Sequence, residues 1–187
     1  VSSMFYMFGY ATSFNQNLNN WTLRTAGVNL RYMFYQAAAF NGNISTWNTT
    51  NVTLMDRMFY NANSFNGDIS SWVTSSVTNM TSMFYGATAF NQDISSWNTA
   101  AVTNMSFMFQ SASAFNQPLA HSGNSWNLAN VTNMTDMFNG ASLSIANYDV
   151  FLYSQAQNSG TNENITITVS SKYSDATSRN FLINSKS

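Results

Sequence analysis

The chain has no cysteine, one proline, one histidine and only 13 residues that carry charge at neutral pH, six basic and seven acidic, among 187. Without cysteine there is no disulfide framework and no thiolate metal site. A net charge of −1 gives no field to steer nucleic acid or to hold an anionic membrane. No run of 18 or more apolar residues is present, so this stretch of chain does not supply a membrane-spanning helix. Acidic residues are few and scattered, and neither a Gly-rich phosphate loop nor a nucleophile elbow occurs, so the reading is that the protein is not an enzyme and uses no cofactor. With so little charge, solubility rests on Asn, Ser and Thr, which favours attached glycans or burial of the surface in an assembly.

What is present is repetition. The pair Met-Phe recurs at Met7-Phe8, Met33-Phe34, Met58-Phe59, Met83-Phe84, Met108-Phe109 and Met137-Phe138, a spacing of about 25 residues that marks stacked units too short to bury their own side chains. Other apolar positions keep step. Phe14, Phe40, Phe65, Phe90 and Phe115 form one column, Leu18, Ile44, Ile69, Ile94 and Leu119 another, and Trp21, Trp47, Trp72, Trp97 and Trp126 a third. These side chains are expected to point inward, each contributing about 1.5–3 kcal/mol on burial. Asp93-Ile94-Ser95-Ser96-Trp97 reads as a short parallel strand. Met80 through Ala87, apolar at i, i+3, i+4 and i+7, suits one or two helical turns, and Val77-Thr78-Asn79-Met80 a second extended piece. The fold class expected is an α/β solenoid, a leucine-rich-repeat-like stack of coils, each a short parallel strand plus a short helix or 3-10 turn.

Two polar columns accompany the apolar ones. Asn15, Asn41, Asn66, Asn91 and Asn116 each follow the column Phe and are assigned to a buried structural asparagine ladder. The column Asn29, Leu54, Asn79, Asn104 and Asn133 admits a Leu and is expected to face solvent. Asp68 and Asp93 share a column, but two isolated carboxylates without a dense acidic loop are a poor cation site, so no metal is assigned. Nine Asn-x-Ser/Thr triplets occur. Asn20, Asn48, Asn51, Asn130 and Asn164 are the candidates for N-glycosylation, because their columns vary between copies or they lie outside the stack.

The register breaks in two places. One extra residue lies between Trp21 and Leu30, and four between Leu119 and Trp126, the latter with His121 and Gly123 and just after Pro118; both are expected to bulge as loops, the second solvated. Repeats occupy 1–141, with a first coil that begins in mid-repeat, as though the true start lay upstream. Residues 142–187 are expected to close the stack as an α/β cap. Ser144 serves there as N-cap of a helix through Tyr153, Asn164-Ile165-Thr166-Ile167-Thr168-Val169 forms a strand, and a second helix starts near Asp175.

The stretch Phe90-Asn91-Gln92-Asp93-Ile94-Ser95-Ser96-Trp97-Asn98-Thr99, followed by Val102-Thr103-Asn104-Met105-Ser106 and Met108-Phe109, resembles the BspA-like surface-protein repeat, a divergent leucine-rich repeat of bacterial and protist surface proteins. The tail is also similar to the segment that closes such arrays, through Leu143-Ser144, Asn147-Tyr148-Asp149, Tyr173-Ser174, and Arg179 with Leu182-Ile183. The resemblance implies an extracellular or cell-surface protein that mediates adhesion or contacts with a protein or glycan partner, with no reaction and no transferable binding residue. The alternative is a subunit that assembles with copies of itself into a filament or sheath. A third reading, ice binding, rests on the column Thr53, Thr78, Thr103 and Thr132.

Overall fold

The computed structural model describes residues 3–23, 27–121 and 124–157. Within them each repeat makes one coil, and successive coils lie in register. Parallel bridges join Ser3 to Asn29, Asn29 to Leu54, Leu54 to Asn79, Asn79 to Asn104 and Asn104 to Asn133. The longest pairing is between strand β1 (Val28–Asn29) and strand β2 (Val52–Leu54), where the register shifts between Val28 and Asn29.

The interior is an aromatic spine two rings wide. Within each coil the Phe of Met-Phe stacks on the next column Phe, as in Phe34 on Phe40 at 3.8 Å between centroids and Phe84 on Phe90 at 3.9 Å. Between coils Phe59 faces Phe84 at 5.6 Å with planes 5° apart. The Trp column runs beside it, and Trp47, Trp72, Trp97 and Trp126 each donate the indole N–H to the backbone carbonyl of Leu18, Ile44, Ile69 or Ile94 in the preceding coil, at 2.9–3.3 Å. A large apolar body therefore enters the core with its one polar atom satisfied.

The segment expected as helix is a run of tight turns. From Met80 to Ala87 the N–H groups alternate: Met83, Tyr85 and Ala87 donate three residues back, to Met80, Ser82 and Phe84, while Ser82, Phe84 and Gly86 donate across to Ser106, Met108 and Gln110 of the next coil. An α-helix would commit every N–H to its own segment. Here half of them bind the neighbouring coil. The turns 80–83 and 84–87 need positive φ at their third residue, met by Ser82 (53°) and Gly86 (64°). Every coil repeats this, at Tyr6 and Tyr10, Tyr32 and Gln36, Arg57 and Asn61, Phe107 and Ser111, Asp136 and Gly140.

The expected strand 93–97 is likewise absent. Asp93 Oδ1 accepts the Ser95 N–H, and Trp97 N–H turns back to the Ile94 carbonyl, so these donors close local turns. The parallel contact falls instead on the column of Asn29 and Asn79, which was expected to face solvent. It is half-buried, and the amides of Asn29, Asn79, Asn104 and Asn133 each accept the N–H two residues on, at 2.9–3.0 Å.

The insertion after Leu119 forms a short antiparallel pair, β3 (Ala120–His121) with β4 (Asn124–Ser125). Helix α1 (Ile145–Gln157) packs near it and over the last coil, setting Tyr148 and Phe151 edge-on against Phe138 at 6.3 and 5.8 Å. Ser144 starts the helix, its Oγ accepting the Asn147 N–H. The expected strand 164–169 and the helix near Asp175 lie outside the described residues.

Candidate functional site

If the inner columns are nearly constant, the positions around Met-Phe on the turns are not, and they mix exposed and half-buried side chains with buried ones such as Asp56, Thr81, Ser82 and Ser106. Reading along the stack, one column is Phe5, Arg31, Asp56, Thr81, Ser106, Thr135, and the next is Tyr6, Tyr32, Arg57, Ser82, Phe107, Asp136. The column after Met-Phe reads Gly9, Tyr35, Tyr60, Tyr85, Gln110, Asn139. Large aromatic and charged residues gather on the turns of the first four coils; later coils carry mostly small polar residues there.

These side chains form one contiguous patch. Tyr35 stacks on Tyr60 at 4.8 Å and Tyr60 on Tyr85 at 4.5 Å with planes 2° apart, so the rings stand on edge, faces covered and phenolic oxygens in a row. Tyr6, Tyr10 and Tyr32 join them, with Tyr32 5.4 Å from Tyr35 and 5.8 Å from Tyr6. Phe5 meets Tyr32 edge-on at 5.6 Å. Loss of hydration among the rings, and then the hydrogen bond to Tyr10, push the Tyr6 phenol up to about 12. Desolvation also raises Tyr60, with Tyr85 and Tyr35 adding to it and Arg57 opposing. With their values raised, the Tyr6 and Tyr60 phenols stay protonated at neutral pH, able both to donate and to accept.

Beside the rings lies a charged triad. Asp56 is 1% exposed, and Arg31 Nε lies 2.7 Å from its Oδ1 and 3.0 Å from its Oδ2. Arg57 Nη1 is 3.7 Å from Oδ2 and donates to the Tyr32 hydroxyl at 3.0 Å. Both guanidinium carbons lie over the Tyr32 ring, at 5.8 and 5.4 Å. The buried carboxylate thus fixes two arginines whose side chains stay 37% and 36% exposed. They are the only Lys or Arg among the described residues.

The residues singled out from sequence fall elsewhere. In the asparagine ladder, Oδ1 of Asn15, Asn41, Asn66 and Asn91 accepts the backbone N–H of the next member at 2.7–2.9 Å, and Asn116 accepts from Ser144 at 2.8 Å. The column is exposed or half-buried, not interior as expected, because each amide reaches along the surface to the next coil. Asn20, Asn48, Asn51 and Asn130 are exposed; the Asn130 amide donates to the Ala100 carbonyl at 2.7 Å. Asn164 lies outside the described residues. The threonine column spends its hydroxyl protons on carbonyls one coil back, as in Thr103 to Thr78 at 3.1 Å. Among the described residues no three His, Asp or Glu side chains converge as metal ligands, and no helix is long and apolar enough to cross a membrane.

The aromatic patch lies in columns that hold for only part of the stack, such as Tyr35, Tyr60 and Tyr85 before Gln110 and Asn139. Its signal was available as the inverse of the repeat: columns that change between copies, flanking one that never does.

No curated protein and no solved structure matches the chain. Its sequence does match the repeat family described as "Mycoplasma protein of unknown function, DUF285", in two overlapping stretches, residues 1–53 and 28–151. With most of its length accounted for in this way, the chain belongs to that family.

Proposed function

We propose that this protein is a non-enzymatic recognition module of the extracellular or cell-surface kind, a stack of turn-rich coils of the BspA-like type that holds a partner against its turns. The observation that carries this reading is the segregation of sequence variation. Columns that build the stack stay constant from coil to coil, whereas the turn columns gather tyrosines, Phe5 and two arginines that the interior does not need. In repeat architectures such positions form the extended binding face, and Tyr and Arg are the residue types that dominate contact energy.

The test is to probe the purified protein against panels of glycans and extracellular proteins. Tyr60→Gln with Tyr85→Gln, which installs the residue that the same column carries as Gln110, should abolish binding and leave the fold intact. A Thr78→Ser control on another face should bind as the parent does. Binding that is indifferent to the tyrosines would overturn the assignment of the face.

The rival reading, a self-assembling subunit, draws on the charge-poor surface, with only 13 charged residues among 187. Light scattering separates the two: a monomer supports recognition of another molecule, and large open-ended assemblies support the rival.

A further inference from the structure

Resting on the recognition reading, we propose that the partner of the turn face is an acidic saccharide, a sugar chain bearing carboxylates such as a uronate polymer. Its carboxylate would be held by Arg31 and Arg57, and its hydroxyls by the tyrosine row.

Three features point to this chemistry. Arg31 meets Asp56 through Nε alone, and neither of its terminal NH2 groups has a partner among the described residues; Arg57 uses only Nη1. Asp56 cancels one of the two positive charges, so the pair keeps one net positive charge and unfilled N–H donors in the planar fork that suits a carboxylate. The guanidiniums do not swing freely, because Asp56 holds them from below and Tyr32 lies under both, which reduces the ordering cost of binding.

The second feature is the spacing of the rings. Tyr35, Tyr60 and Tyr85 repeat at 4.8 and 4.5 Å. An extended peptide presents same-face side chains about 6.6–6.8 Å apart, so an acidic peptide would fall out of step within two coils. A sugar chain carries hydroxyls on both edges of every ring and needs no such register.

Third, the faces of the stacked tyrosines are covered by one another, so the row offers oxygens and ring edges, not flat apolar plates. That suits a hydroxyl-rich ligand better than an apolar one.

The experiment is calorimetric titration with a short oligogalacturonate, its methyl ester, and poly-Glu. The acid form should bind with an affinity that falls as salt is added, and the ester should bind at least about tenfold more weakly. Arg57→Gln should weaken binding about tenfold or more. Tyr60→Phe with Tyr85→Phe, which removes two hydroxyls and keeps the stack, should weaken it several-fold at an unchanged melting temperature. Arg31→Lys retains a cation for Asp56 but loses the fork, and should bind as poorly as Arg57→Gln while remaining folded.

Equal binding of acid and ester, or poly-Glu bound as tightly as the saccharide, would overturn the proposal. So would variants that bind like the parent. Capture of a neutral glycan or a protein by the same tyrosines, with no affinity for the uronate, would overturn this inference and leave the broader recognition reading standing. Loss of all binding would remove both.

Discussion

The interior of the stack and the outside of its turns are built from the same kinds of residue put to different uses. Inside, Phe59 and Phe84 repeat one geometry at 5.6 Å and are fully buried. Outside, Tyr60 and Tyr85 stack just as regularly, but at half-buried positions whose column gives way to Gln110 and then Asn139. An aromatic ladder in a repeat protein is therefore not in itself a sign of core. Persistence through every coil marks the core, and loss of the aromatic partway marks a surface free to vary.

Substitution of paired positions should expose the contrast most sharply. Phe84→Ala removes a ring that stacks on Phe59, Phe90 and Phe109 and should cost about 3–5 kcal/mol, read by thermal or urea unfolding. Tyr85→Gln, one residue on, should cost far less. If the two cost the same, the distinction between spine and turn face fails.

A smaller effect is expected from the turns. Gly86 sits at a φ of 64°, and a Cβ there would run into the side-chain amide oxygen of Asn61 in the coil before. Gly86→Ala should lose about 1–2 kcal/mol from the left-handed backbone alone, measurable as a lower denaturation midpoint. Its column tolerates Tyr10, Gln36, Asn61 and Ser111, so the penalty belongs to this site's neighbour as well as to the dihedral. With Asn61→Gly in the same chain, part of the loss should return.

The smallest effect is on pH dependence. Asp68 Oδ1 accepts from the Ser70 backbone N–H at 2.9 Å and from its hydroxyl at 2.7 Å, which together hold the carboxyl below its usual range. A depressed folded value means that the contribution is present above the unfolded pKa, about 3.9, and is lost as pH falls through the folded one. The melting temperature of the parent, compared with Asp68→Asn, should converge on that of the variant below about pH 4. The lowered value comes from an exposed turn, so the difference should be slight at any pH.

How far the sequence revealed all this differs between the two regions for a physical reason. Periodicity detects what recurs, and the buried Phe, Trp, Ile and Met positions recur because every coil must fill the same space. Residues 80–87 read as a helix in sequence because two successive four-residue turns place apolar side chains at the same i, i+3, i+4 and i+7 spacing as a helix. Only the alternate destinations of the N–H groups tell them apart, and those depend on the neighbouring coil. An amide in a repeating column suggests burial from sequence alone, yet the ladder asparagines serve as well where they bridge two surface loops. The arginines keep no period, and the tyrosines keep it only from Tyr35 to Tyr85 before the column changes to Gln110, so a search for columns constant through every coil passes over both.

The asparagine ladder has a direction. Each amide oxygen takes the N–H of the unit that follows, until Asn116 takes that of Ser144, whose own oxygens receive Asn147 and Tyr148 as the helix begins. One serine thus ends the relay and starts a different structure. Whole units can be duplicated or deleted upstream of that junction, in frame, and the terminator meets the same amide each time. Array length is then a heritable variable that can change without redesign of either the spine or its stop.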